Sequence, residues 1–455
     1  MIRLVNKYYE KIKTNPLKRS KTGMEAEFHI LDNNGRISSR ADDLIKDLKG
    51  LKENIDVVKE IGKNMIEFGC YPDVHTYNPA LDLIDSLEKT NQLCLDKGLW
   101  IYPFGTYPGK FEPHVRNEDK YQIKKSIFGP ERIKISCRVT GFHHHYSLPK
   151  GVFDTRLKML KIMRKSKLKR TMVSSYNFEI AADPALTLFT QSSPFYQGKY
   201  LGKDSRVIVY RGGKKLNYLE GLYAGLQQMG GLPPYKHTET DLLISLHKRW
   251  LRWEREVKKK IPNVDLDKIY PYKLDITWSP VKINKLGTLE QRGMDVNFMS
   301  VMVAVTVMLK FCLKRIQRDF LEVMPADFAI DEPFKFEDGI LYVPPQSYVR
   351  NKLQMESAYD GYESKDMALY AKKFFKFAKS VTPSRYYKVI RPIYDMVDTK
   401  RSMSDRILSY AKYKKFLHKN TINNPDAGEL ALYYSRHFSK DLQMTKKRLE
   451  AVSLL

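Results

Sequence analysis

Residues 22–38 read TGMEAEFHILDNNGRIS, and the alternation in this stretch decides how the rest of the chain is read. Apolar and polar side chains alternate up to Asp32-Asn33-Asn34-Gly35, which reads as a strand, a tight turn and a returning strand. Glu25 and Glu27 are two residues apart on that strand, so both carboxylates project from one face. Two like charges held side by side repel, and a cation between or above them removes the repulsion. The opening hairpin therefore predicts an antiparallel sheet with an acidic face.

Further along, the pattern predicts a helix over residues 41–51 and a strand, NMIEFGC, at 64–70 that carries Glu67. Asn78-Pro79 caps a helix with Leu83, Ile84, Leu87, Cys94 and Leu95 on one face, ending at Gly98. LWIYPFGTYPG at 99–109 reads as a strand and loop. In ERIKISCRVTGFHHHYSL, residues 131–148, Ile133, Ile135, Cys137 and Val139 alternate with polar residues and lead the histidines onto a strand. Alternation then divides the three histidines, with His143 and His145 on one face and His144 on the other. LDITWSP at 274–280 and GTLEQRGMD at 287–295 read as another strand pair, on which Glu290 and Arg292 share a face.

The chain of 455 residues is 42% hydrophobic, enough for one large or two medium-sized globular units, and has no internal repeat or low-complexity linker. Residues 296–309 carry no charge but fall short of the ~18 apolar residues of a membrane span, and read as a buried helix. The first residues are charged where a secretory signal would be apolar, so the expectation is a cytoplasmic protein with no membrane partner. Four widely spaced cysteines fit neither a zinc knuckle nor a redox pair and read as reduced, mostly buried thiols. The net charge of +27 favours polyanions without choosing among them. Its densest run, RLKMLKIMRKSKLKR at 156–170, reads as a surface helix with Leu157, Leu160, Met163 and Leu168 on its inner stripe.

Acidic, histidine and arginine side chains thus gather on several strands of one sheet. Hard carboxylates with an imidazole suit Mg²⁺ or Mn²⁺, and a nearby arginine suits a phosphoryl group. The architecture implied is α+β, a mostly antiparallel sheet with helices and then a helical section. We divide it into a basic helix at 1–18, a catalytic domain at 19–365 and a helical extension at 366–455.

In the same residues the chain resembles the carboxylate–amine ligases of the second glutamate–cysteine ligase family, relatives of glutamine synthetase. The matching stretches are GMEAEF, ADDLI at 41–45, MIEFGC, FGTYP at 104–108, GFHHHYS, SSPFYQGKYLGKDSR at 192–206 and GTLEQRGMD, in the family's order. The resemblance implies a sheet forming a funnel, as in glutamine synthetase and the guanidino kinases, which ATP enters from one end and the amino acid from the other. It implies that Glu27 and Glu67 help hold one Mg²⁺ and that Glu25, His143 and Glu290 hold another. His145 would face the nucleotide phosphates, Arg292 the phosphoryl group in transit, and Arg206 the substrate carboxylate or a phosphate. Arg292, Glu290 and Glu67 become the catalytic candidates. The activity implied is ATP-dependent joining of the γ-carboxylate of glutamate to an amine such as cysteine. Two other readings stay open in the sequence: an inactive relative that binds nucleic acid through its basic surface, and a phosphotransferase acting on a guanidino-type acceptor. The oligomeric state is also open, a homodimer included.

Overall fold

A computed structural model describes residues 20–51, 55–161, 166–276 and 278–454. The basic helix expected at 1–18 lies outside the described residues. The organising element is strand β1, Thr22–Asp32. Met24, Ala26, Phe28 and Ile30 on one side of it are buried in the main core, which leaves Glu25 and Glu27 on the other. After it come helix α1 (Ala41–Gly50), strands β2 (Val57–Lys59) and β3 (Met65–Gly69), helix α2 (Tyr77–Asp96) and strand β4 (Leu99–Tyr102). Helix α3 (Asp119–Phe128) precedes strand β5 (Gly141–Ser147), and helices α4 (Lys167–Thr190), α5 (Ser205–Arg211) and α6 (Glu239–Lys260) lead to strands β6 (Val281–Ile283) and β7 (Thr288–Asp295).

These seven strands form one sheet in the order β6-β7-β5-β1-β3-β2, with β4 also paired to β1, and every pairing is antiparallel. Helix α7 (Met299–Asp319) is the buried helix expected over 296–309. A small sheet of β8 (Glu322–Pro325), β9 (Phe336–Glu337) and β10 (Ile340–Val343) follows. Helices α8 (Lys365–Val381), α9 (Arg391–Thr399), α10 (Met403–Tyr413) and α11 (Asn424–Ser453) complete the chain. The core joins distant parts of the sequence: Phe374 and Phe438 belong to the same apolar cluster as Phe28 and Phe142. Among the described residues no helix is long and apolar enough to cross a membrane. All four cysteines are free.

Several local expectations are corrected. The turn at Asp32–Gly35 forms, with Gly35 N–H donating to the Asp32 carbonyl, but the returning strand shrinks to one bridge between Leu31 and Ile37. Residues 131–137 are helical: Gly129 sits at φ +85° and Pro130 starts a short helix that continues as a 3₁₀ turn over Lys134–Cys137. Among the described residues of 274–280 none lies on a strand, and the partner of β7 begins at Val281 instead. Leu95 is 50% exposed and lies off the inner face of α2. In the basic run, Asp154 accepts hydrogen bonds from the amides of Arg156 and Leu157 and makes a turn. Leu157 is therefore exposed, Met163 lies outside the described residues, and the helix starts at Lys167 behind the Ser166 cap.

Candidate active site

The acidic face of the sheet forms the floor of a cavity of about 340 Å³. Strand register assembles it: Glu27 lies opposite Glu67, Glu25 opposite His143, and Glu290 opposite His145. His143 Nδ1 is 3.3 Å from Glu25 Oε2 and its Nε2 is 3.6 Å from Glu27 Oε1. His145 Nε2 lies 3.3 Å from Glu25 Oε2 and 3.7 Å from Glu290 Oε1. His144 points to the packed side, where its Nε2 hydrogen-bonds the Thr22 hydroxyl at 2.8 Å. His144→Ala is therefore expected to leave turnover within about threefold of the parent while lowering stability by about 2 kcal/mol, because it empties a buried, hydrogen-bonded position. Urea unfolding alongside ADP release checks both halves.

Arg292 is aimed by a bulge. Gln291 pairs with His144 and Met294 with Phe142, so Arg292 and Gly293 together face the one residue His143. The Arg292 amide donates to the Pro280 carbonyl at 2.7 Å, and its Nε lies 3.3 Å from Glu290 Oε1. Arg206, on α5, lines the same cavity, and its guanidinium donates to the carbonyls of Gly293 and Arg292 at 3.1 and 3.2 Å. Its closeness explains Gly141, where a Cβ would meet Arg206 Nη2 at 2.2 Å. Arg206 thus braces the bulge that presents Arg292.

The structure brings together every site residue expected from the sequence and adds others. Glu60, at the end of β2, joins Glu27 and Glu67 in one carboxylate group. Lys120 and Lys124 reach in from α3, and Lys282, on β6 opposite Glu290, completes a cationic wall. Alternation on the strand opposite β7 could have found Lys282. Glu60 follows a short strand and the lysines sit on a helix outside the sheet, so strand alternation marks neither.

The electrostatics are those of a cation site. Burial pushes the Glu27 carboxyl up to about 7, with the Glu60 carboxylate adding to the shift and Arg206 and Arg292 opposing it. Burial, Glu60 and Glu25 push Glu67 well up. Burial would also raise Glu290, but Arg292, His145 and Lys282 outweigh it and hold the carboxyl at about 2. Burial and Arg292 bring His143 down to about 4, so its ring is neutral at pH 7. The buried Nε2 atoms of His143 and His145 have no hydrogen-bond partner. Three groups, Glu25–Glu67–His143, Glu25–His145–Glu290 and Glu27–Glu60–Glu67, each place ligand atoms within 4.8 Å of one another. The neutral His143 imidazole beside crowded carboxylates fits a divalent cation, whereas at His145 burial is outweighed by Glu25 and Glu290, which raise the ring, and a cation there would have to displace its proton.

The sign of the pH dependence follows. A cation must displace the proton that Glu27 holds below about pH 7, so affinity for Mn²⁺ or Mg²⁺ rises with pH from about 6 to 8, by up to about tenfold per unit for each proton displaced. Calorimetry in buffers of different ionisation enthalpy reads the released protons. Affinity that is flat with pH would contradict this assignment.

No protein-family model and no curated protein sequence matches the chain. Solved structures do. A bifunctional glutathione synthetase from Pasteurella multocida aligns with 96% of this chain and 54% of its own, at 12% identity and a TM-score of 0.57. A glutamate–cysteine ligase from Francisella tularensis, in complex with AMP, aligns over 96% of this chain and 93% of its own, at 13% identity and a TM-score of 0.49. The chain thus shares the fold of that glutathione synthetase and spans about half its length, 54%.

Proposed function

We propose that this protein is an ATP-dependent carboxylate–amine ligase whose sheet forms a glutamine synthetase-like funnel, with glutamate as the carboxylate substrate. The observation that carries this reading is the convergence of five glutamates, two imidazoles and Arg292 on one cavity, in a fold shared with a glutathione synthetase. In the first step an oxygen of the γ-carboxylate attacks the γ-phosphorus of ATP, ADP leaves, and an acyl phosphate forms. In the second an amine attacks the acyl carbon, the carbon–oxygen bond breaks, and phosphate and a proton depart.

Each side chain has a part in this scheme. In this reading Glu25, Glu27, Glu60, Glu67, His143 and Glu290 would hold Mg²⁺ or Mn²⁺, with His145 at the nucleotide side. Such ions supply charge neutralisation at phosphate oxygens. Arg292 takes up charge on the phosphoryl group in transfer, and Glu290 fixes the guanidinium. Glu67, whose carboxyl is pushed well up by burial, Glu60 and Glu25, takes part in the transfer through the cation it would help to hold. The buried thiols need no part: burial pushes Cys70 and Cys137 to about 12, far from the reactive range.

The test is incubation with Mg²⁺, ATP, glutamate and a panel of amines, followed by assay of ADP and condensation products. ADP release that requires both glutamate and an amine is the expected result. The reading fails if no amine raises ADP above background. A stable phosphorylated product without an amide would instead identify a phosphotransferase.

A further inference from the structure

Away from the site, two adjoining cavities open where the C-terminal half of α7 meets the small sheet and α8. Neither shares a lining residue with the catalytic cavity. The larger, about 400 Å³, has Phe311, Phe336 and Phe377 as ring walls among Lys314, Arg315 and Arg318. Its neighbour, about 290 Å³, shares Phe336, Phe377 and Ser380 with it and adds Lys373 and Lys376. Shared walls make the two one continuous groove, built from three separate parts of the chain.

The charges in this groove do not balance. Asp319 pairs with Arg315 and Arg318, and Glu332 and Glu337 answer Lys335. Lys314, Lys373 and Lys376 have no carboxylate partner among the described residues. Lys314 meets cations instead: burial first, then Arg318 and Arg385, push its ammonium down from the usual lysine range. The rings are held ready. Phe336 is 44% exposed, with the Arg315 guanidinium 5.5 Å over its ring. Phe377 stacks on the buried Phe334, and the Lys314 ammonium lies 5.8 Å over Phe311.

An inorganic anion would use the cations and ignore the rings, and an apolar ligand would do the reverse. Flat rings joined by phosphates use both, and two cavities in tandem seat successive units. A duplex keeps its bases stacked inside and offers them to no phenylalanine. We infer that this groove binds single-stranded nucleic acid, with a base stacked on Phe336 and the backbone phosphates along Lys314, Lys373 and Lys376. This activity is independent of the ligase reaction.

The experiment is fluorescence anisotropy of the full chain with a labelled single-stranded RNA of about 12 nucleotides, titrated at several salt concentrations. Binding is expected to weaken with salt, and replacing Lys314, Lys373 and Lys376 together by glutamine is expected to lower the slope of log K against log salt by about 2. Phe336→Ala is expected to weaken binding about tenfold with the slope unchanged, whereas Phe336→Tyr, which keeps the ring, binds as the parent does. The inference is overturned if a duplex of the same sequence binds as tightly as the single strand, or if Phe336→Ala has no effect. It is equally overturned if vesicles containing phosphatidylserine bind through these lysines while the RNA does not. The groove variants are expected to release ADP like the parent in the ligase assay, so failure of either reading leaves the other standing.

Discussion

Arg292→Ala is expected to lower the rate of ADP formation by about 10² to 10³, the usual effect of removing one preorganised charge from a transfer site. The structure gives a reason for an effect at the upper end. Arg292 is fixed before any substrate arrives: its amide is tied to Pro280, its carbonyl and that of Gly293 to Arg206, and its Nε lies against Glu290. Little reorganisation therefore remains to be done as charge develops on the phosphoryl group. Loss of the guanidinium also removes the charge that leads in holding Glu290 at about 2 against burial. Arg292→Lys keeps the charge and loses the planar fork, so an intermediate rate is expected. Single-turnover ADP formation with saturating glutamate and amine is the measurement. A rate for Arg292→Ala within threefold of the parent would remove Arg292 from the reaction.

What the sequence made legible was local. Alternation on β1 placed Glu25 and Glu27 on one face, and the same rule separated His143 and His145 from His144, because side-chain direction along a strand needs no knowledge of its neighbours. The buried helix over 296–309 was legible for a similar reason, since an uncharged run of that length has few other places to go. Register was not legible. That Glu27 faces Glu67 and Glu25 faces His143 depends on pairing between strands far apart in sequence. The bulge at Arg292 and Gly293 is invisible for the same reason, although it sets the aim of the arginine. Glu60, Lys120 and Lys124 enter the cavity from a loop and a helix whose approach to the sheet is tertiary. Residues 131–139 were misread because Ile133, Ile135 and Cys137 alternate by coincidence. All three are buried, but by helical and 3₁₀ turns that pack them into small side clusters, and the Gly129-Pro130 start signal was the stronger evidence.

The largest structural effect is expected beneath the bulge. Arg211 and Asp183 form a two-pronged ion pair, with Nη1 to Oδ2 at 2.6 Å and Nη2 to Oδ1 at 2.8 Å, and both side chains are fully buried. Gln354 Oε1 accepts a further bond from Arg211 at 2.8 Å. Glu179, one turn earlier on α4, makes no hydrogen bond with either carboxylate oxygen and does not pair with Arg211, so it does not stand in for Asp183. Asp183→Ala therefore leaves a guanidinium buried without a counter-charge, at a cost of about 3 to 5 kcal/mol. Catalysis is expected to suffer as well, because the bulge rests on this pair. A Cβ on Gly293 would lie 2.3 Å from Asp183 Oδ1 and 2.5 Å from Arg211 Nη2, so the backbone that carries Arg292 lies directly against it. Replacing both partners, Asp183→Leu with Arg211→Met, removes the stranded charge and is expected to recover much of the stability. Activity is expected to recover less, since neither apolar side chain reproduces the planar surface against Gly293. Urea unfolding of the single and double variants, with ADP release measured on each, separates the two effects. A cost below about 1 kcal/mol for Asp183→Ala would mean that the site tolerates the unpaired charge, and that the pair does not support the bulge.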